Sequence, residues 1–555
     1  MVFKLLKDNE TEDLVIAGIL DEFSYNVFKY ECNFINLNPL NYRRVLASTK
    51  IHFLFVESFW NGMDEQWEDL QKQTGESKLG IMKRIVKYCK KRDIPTVFWN
   101  KEDPIYFYIF KDMVKLFDFV FTTDANCIHA YTRLLGHNKV YVLPFAAQPV
   151  IHNPMDRNAE RIGRVAFAGS WQADSPIDRK KDMDIVLKSA FKYDLSIYDR
   201  NYHRSLKCLR YPLDYEPYIK GGLPYNEILK IYKKYDIFLN VNSVQNSPTM
   251  FSRRIFELLA CGTNVISGYA IGIEKLFSDI IPLCRTAADT DYYIEMLLAD
   301  KDYRDKLSVL GQREVFKNHT CKHRLAYMLD CIGASYIREE QSGVTIIVWG
   351  DNLEDLQRGI NNAYLQSYSH KEIIYITRNI EKKIGSMMNG INIKTILYDQ
   401  CDTLEECIGN AINNSSYEYI TFFHPQGYYA ANFLTDLMNA FLYAEADIIG
   451  KNTYYAFAKD TEKLFMMYPN NEYRFSDYIN PYAMVLKRSV LNKVKFMFKD
   501  DREFNIEMQI ESNVKMYSSD RFNYMLEVES ILPIESQDQI QDVGLFRQYQ
   551  TFITV

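Results

Sequence analysis

The chain has 555 residues, too many for one hydrophobic core, so about two to four domains are expected. Apolar residues make up 47% and charged residues 25%, the mix of a globular protein, and a formal charge of −6 without a long Lys/Arg run argues against nucleic acid as main partner. Residues 1–13 lack the apolar stretch of a signal peptide, no window reaches the ~18 apolar residues of a membrane helix, and the ten cysteines form no Cys-x-x-Cys pair, so a cytoplasmic chain with buried free thiols is expected.

In chain order, apolar runs at 14–20, 51–56, 96–99, 117–122 and 139–143 read as strands. Helical spacing over 78–91 (Leu79, Ile81, Met82, Ile85, Val86, Cys89) is typical of the material between them. Short continuous apolar strands alternating with helices predict a parallel sheet covered on both faces. Residues 148–162 read as a linker, and a second βα series follows at 164–169, 195–199, 236–242, 264–267 and 280–284, with helices over 290–300, 302–317 and 322–333. The domains expected are 1–152 and 153–335, both Rossmann-like, then 344–535 and a tail, 536–555. The third region predicts strands at 344–349, 372–377, 393–398 and 418–423 and a helix over 428–443.

Polar and aromatic groups crowd the strand ends of the first half: Glu57-Ser-Phe-Trp60, Trp99-Asn-Lys-Glu-Asp-Pro104 and Thr122-Thr-Asp124. In open parallel sheets ligands bind beyond the carboxyl ends of the strands. A solvated turn before Pro104 accounts for Lys101, Glu102 and Asp103 taken alone. Successive strand ends of this content instead indicate a site. In the second half Gly169-Ser170 suits close approach of backbone N–H groups to a diphosphate, and Arg179, Arg200, Arg253 and Arg254 are candidates for gripping phosphates. The segment from Asn240 through Asn242, Ser247 and Thr249 to Glu257 and Gly262 reads as a polar loop opening a helix at Ser247 or Thr249, with Gly262 ending it. Glu257 is placed to accept ribose hydroxyls, while a surface carboxylate is the commoner fate of such a residue.

The stretch Arg254-Ile-Phe-Glu-Leu-Leu-Ala-Cys-Gly262, with the clusters above and Tyr198-Asp-Arg200, resembles the CgeB-like (spore-maturation) glycosyltransferases over roughly residues 10–335. The resemblance implies a GT-B fold of two Rossmann-like domains and sugar transfer from a nucleotide-sugar substrate, with no cofactor and no essential metal. It implies Glu257 as ribose ligand and Arg253 or Arg254 near the diphosphate. The wider family pattern has a Glu eight residues before Glu257, where this chain has Thr249. Residues 344–535 resemble a degenerate family-2 GT-A domain, in which Arg378-Asn379 and His424-Pro425-Gln426 stand where active members carry carboxylates. An inactive third α/β domain serving acceptor holding or homo-oligomer formation is the expectation.

Three functions follow. Glycosyl transfer to a glycan, surface-polymer or protein acceptor leads, with Glu57, Glu102, Asp103, Asp124 or His129 as base if configuration inverts. A nucleotide- or glycan-binding module without turnover is the alternative. A Rossmann oxidoreductase ranks last, since no Gly-x-Gly-x-x-Gly follows any predicted strand.

Overall fold

A computed structural model describes residues 3–7, 10–68, 77–173, 176–338, 341–350, 352–377, 393–397, 403–498, 506–531, 539–545 and 553–555. They form two compact units, one of Met1–Pro154 and Glu160–Arg338, the other of Met155–Ala159 and Glu339–Val555. Among the described residues no helix is long and apolar enough to cross a membrane.

The first unit opens with a hairpin, β1 (Lys4–Lys7) and β2 (Glu10–Asp13). Then β3 (Val15–Ile19), β4 (Asn33–Asn36), β5 (Phe53–Glu57), β6 (Thr96–Asn100), β7 (Phe119–Thr122) and β8 (Val140–Val142) build a parallel sheet in the order β4-β3-β5-β6-β7-β8. Every residue of β5 and β6 is buried, as expected of strands covered on both faces. On one face Ile81, Met82 and Ile85 of helix Lys78–Lys90 pack with Trp67, Phe98 and Tyr131. On the other, Phe28, Phe53, Phe55 and Trp99 meet Leu325, Met328 and Leu329 of helix Cys321–Ile332, which returns from the far end of the unit.

A second parallel sheet follows: β9 (Gly163–Gly169), β10 (Leu195–Asp199), β11 (Ile219–Gly221), β12 (Tyr235–Asn240), β13 (Asn264–Gly268) and β14 (Leu283–Cys284), in the order β11-β10-β9-β12-β13-β14. Both halves are thus Rossmann-like. Strand order reverses between β3 and β5 in the first sheet and between β9 and β12 in the second, and ligands of such sheets sit beyond the carboxyl ends at that reversal. Asp21 and Glu57 flank the first reversal; Ser170 and Asn242 flank the second.

The second unit contains β15 (Val344–Trp349), β16 (Lys371–Thr377), β17 (Ile393–Leu397), β18 (Tyr419–Phe423), β19 (Gly427–Tyr429), β20 (Ile448–Gly450), β21 (Tyr454–Ala458), β22 (Lys463–Met467), β23 (Arg474–Phe475) and β24 (Met484–Lys487). A hairpin of β25 (Val494–Phe498) and β26 (Ile506–Ile510) precedes β27 (Met516–Ser518), β28 (Tyr524–Val528) and β29 (Ile540–Leu545). One sheet runs β17-β16-β15-β18-β24-β20-β27-β23, parallel from β17 to β18; a second runs β19-β28-β21-β22-β29.

Several expectations change. Segment 536–555, read as a tail, supplies β29, paired to β22. The helix expected over 428–443 is confined to Phe433–Ala440, because 427–429 pair with β28 instead. Of the stretch read as a linker, Gln148 is buried and donates to the Val27 carbonyl and Glu31. Cys208 is exposed and Cys331 half-buried, against the buried thiols expected. Arg378 and Asn379 lie outside the described residues, while His424 is buried against Trp349 and Tyr482.

Candidate active site

At the reversal of the first sheet, Asp21 caps β3 and starts helix Glu22–Phe28, Glu57 ends β5, and Lys101 follows β6. The Lys101 ammonium bridges the Asp21 and Glu57 carboxylates at 2.9 and 2.8 Å. Asp21 also accepts from the Gly62 N–H, at 2.9 Å, and gives its own N–H to Glu57, at 2.5 Å. Burial favours neutral forms, but one cation between two carboxylates decides otherwise for two of the three groups. Lys101 is held charged despite burial, and Asp21, though desolvated, is pulled below the ordinary carboxylate range by Lys101. Glu57, fully buried, is left with a raised pKa. The neighbouring Glu102 carboxyl is also raised by burial, and the charges of Lys101 and Arg200 oppose that shift.

Opposite stand the arginines of the second half. Arg179 donates to the Ser170 carbonyl at 2.9 Å and to the Ser243 hydroxyl at 3.2 Å. Arg254 donates to the Tyr232 hydroxyl at 3.2 Å. The guanidiniums of Arg253 and Arg200 lie 4.1 and 5.0 Å from the ring centre of Phe23, which helix Glu22–Phe28 brings over from the first half. Desolvation lowers the pKa of both Arg179 and Arg200; for Arg200 the charges of Arg253 and Arg254 deepen the shift. Several cations close enough to disfavour one another form a basin of positive charge that an anion would neutralise. Gly169, by contrast, gives its carbonyl to the Arg200 N–H.

Glu257 does not sit where the expectation put it. The helix begins at Arg254, not at Ser247 or Thr249, so Glu257 falls in its first turn and is fully buried. Its oxygens accept from Tyr225 at 3.0 Å and Tyr232 at 3.3 Å and pair with Arg253 at 3.0 Å. Burial alone would raise this carboxyl; Arg253, with Arg254 behind it, holds it below the ordinary range. The carboxylate thus anchors Arg253 from beneath. Glu257→Ala is expected to lower the melting temperature of the ligand-free protein, since breaking a buried ion pair costs about 3–5 kcal/mol. A ribose ligand with no such structural duty would leave the ligand-free melting point unchanged, and thermal unfolding separates the two.

His152 continues this network. Its Nδ1 accepts from the Gln148 N–H at 2.9 Å, so the neutral ring donates from Nε2 to the Tyr225 hydroxyl, 2.8 Å away. Burial depresses His152, and His424 in the other unit, to about 4. Unfolded histidine titrates near 6.5, so between these values the unfolded state binds more protons. Stability is therefore expected to fall as pH drops below about 6.5, by about 1.4 kcal/mol per pH unit for each histidine. Melting curves from pH 8 to 4 check this, and His152→Gln should flatten the slope of the first unit.

The remaining expected site residues have other duties. Asp103 is enclosed, accepting from Asn100, Thr122 and Tyr131 at 2.8, 2.6 and 3.0 Å, and burial lifts it to about 7. Asn242 spends its amide on the Ser267 hydroxyl, the Gly268 carbonyl, Asn240 and the Ser252 N–H. Ser247 donates to Asp124 at 2.5 Å. Thr249 donates to the Thr123 carbonyl at 2.8 Å and accepts from the Ala125 N–H at 2.9 Å. Asp124, Ser247 and Thr249 therefore bind one half to the other. His129 pairs with Arg133 on the exposed face of helix Ile128–Leu135. Sequence reasoning missed Asp21, Phe23, His152 and Tyr225; Asp21 stands just beyond a predicted strand and was open to the same strand-end argument.

The chain is similar to a glycosyltransferase structure from Rickettsia africae at 12% identity, covering 57% of this chain and 97% of that one, TM-score 0.37. Against sucrose-phosphate synthase from Thermosynechococcus elongatus the identity is 11%, the coverage 53% and 75%, and the TM-score 0.34. An α-glucosyltransferase solved with UDP and a 13-mer DNA gives 11% identity, 54% and 85% coverage and a TM-score of 0.36. No curated protein matches the chain. Residues 176–330, which carry Arg179, Arg200, Arg253, Arg254 and Glu257, match a family described as glycosyl transferase-like.

Proposed function

We propose that the chain transfers a sugar from a nucleotide-sugar donor to a glycan, surface-polymer or protein acceptor in the cleft between its two Rossmann-like halves. One observation carries this: a basin of arginines at the second sheet's reversal, in a segment matching a glycosyl transferase-like family, faces a carboxylate-lysine cluster at the first sheet's reversal. Arg179, Arg200, Arg253 and Arg254 hold the donor diphosphate and stabilise the charge that grows on it as the sugar–phosphate bond breaks. The acceptor oxygen bonds to the anomeric carbon. Its proton passes to Glu102 if configuration inverts, or to the departing phosphate if it is retained. A carboxyl raised by burial is suited to the first role. The Asp21–Lys101–Glu57 cluster fixes the strand end that presents Glu102.

In this reading the diphosphate is held by guanidiniums alone, without a metal or cofactor, the donor sugar is a hexose, and the second unit is an inactive GT-A-like domain. A second reading, a nucleotide- or glycan-binding module without turnover, draws on Thr249, whose hydroxyl is spent on the first half. Thermal-shift screening against UDP-, GDP-, CMP- and dTDP-sugars, with and without EDTA, followed by product analysis, tests both. A metal-independent shift with turnover supports transfer; a shift without turnover across a broad acceptor panel supports the module; no shift removes both.

A further inference from the structure

We propose that Trp60 is the acceptor platform of this cleft: its exposed indole takes one pyranose ring of a saccharide and sets a hydroxyl of that sugar at the Glu102 carboxylate. The proposal rests on the transferase reading above and names its acceptor class.

Trp60 follows Glu57-Ser-Phe at the carboxyl end of β5 and is 42% exposed. A large ring left in water beside a charged cleft is informative where a scattered apolar residue is not. The ring is held rigidly. Tyr106 and Phe110 stand nearly perpendicular to it, with centres 5.3 and 5.6 Å away. Its carbonyl accepts from the Lys78 ammonium. Tyr106 in turn gives its N–H to the Glu102 carbonyl at 3.1 Å, so the ring packs on the turn that carries Glu102. Ile105, Tyr108 and Ile109 extend the exposed rim outward.

A pyranose offers an apolar C–H face and a rim of hydroxyl donors. Laid on the indole, it covers apolar surface and directs a hydroxyl to Glu102 in one pose. A lipid surface fits less well, because hydrocarbon over Trp60 would desolvate Glu102 without supplying a donor. Preset rings also lose little conformational entropy on binding.

The test uses the full chain on an array of neutral oligosaccharides, with affinity for the best-retained probe then measured by calorimetry. Trp60→Ala is expected to weaken that probe about tenfold and Trp60→Phe by about threefold, since an aromatic contact is worth about 1 kcal/mol beyond its area. The nucleotide-sugar thermal shift should be the same in both variants, and that shift is what the transferase reading depends on. Trp60→Phe keeps the ring and guards against a folding defect, which the ligand-free melting point reports. Unchanged affinity in Trp60→Ala overturns the proposal, as does failure of the unsubstituted chain to hold any saccharide. Co-sedimentation with anionic phospholipid vesicles, lost in Trp60→Ala, overturns it in favour of a membrane contact. Loss of the nucleotide-sugar shift in the unsubstituted chain sinks the donor reading instead.

Discussion

Replacing Lys101 with methionine should lower the melting temperature of the first unit by roughly 4–7 °C, since stranding buried charge costs about 3–5 kcal/mol. Lys101 is the cation shared by Asp21 and Glu57, and side-chain exposures of 11%, 19% and 0% leave water little room to replace it. Two features make the prediction specific. Glu57 already has a raised pKa, so without Lys101 it takes up a proton more readily, and the deficit should shrink on moving from pH 8 to pH 5. The double variant Lys101→Met/Glu57→Gln should also recover part of the loss, because the orphaned charge goes with its partner. A melting point that stays put, or a double variant equal to the sum of the singles, would show that the three groups are not coupled.

Arg200→Ala should behave in the opposite way: in the free protein it removes a cation from a crowded group, so ligand-free stability should stay level or rise. Arg254→Ala also loses the Tyr232 contact and part of the charge that holds Glu257 ionised, so its ligand-free stability should fall modestly. Donor affinity should fall roughly 10–150-fold for each, the equivalent of one charged hydrogen bond of about 1.5–3 kcal/mol. Arginine-to-lysine changes should fall between, because an ammonium keeps the charge but not the fork of donors. Calorimetry with the nucleotide-sugar that gives the largest thermal shift reads both effects. Unaltered affinity in both alanine variants would falsify the placing of the diphosphate.

What was legible in the sequence depended on how local its cause is. The apolar runs that became β5, β6, β10 and β13 are bounded by polar residues and lie inside sheets, where burial on both faces demands continuous apolar residues. The edge strand β4 (Asn33–Asn36) begins and ends in Asn and has no fully buried residue, so it left no such trace. The start of the Glu257 helix was misplaced because Ser247 and Asn242 bond to nearby backbone groups and hold 243–253 out of the helix. Glu257 itself was conspicuous by its setting among Arg253, Arg254 and Gly262. Its environment was not, because Tyr225, Tyr232 and His152 are between 25 and 105 residues away in the chain. Polar residues at successive strand ends are visible in the sequence, but an open carboxylate there looks the same as one, such as Asp103, enclosed by Asn100, Thr122 and Tyr131.

The return of helix Cys321–Ile332 to the first sheet bears on how the chain is made. The apolar face formed by Phe28, Phe53, Phe55 and Trp99 has no lid until Leu325, Met328 and Leu329 have been synthesised. At a synthesis rate of about 5–20 residues per second, the intervening second half takes roughly 10–40 s to emerge. During that interval the nascent first half carries an uncovered aromatic surface, a substrate for chaperones and a seed for aggregation. The two halves are thus one unit of biogenesis: the first to be translated is the last to be finished.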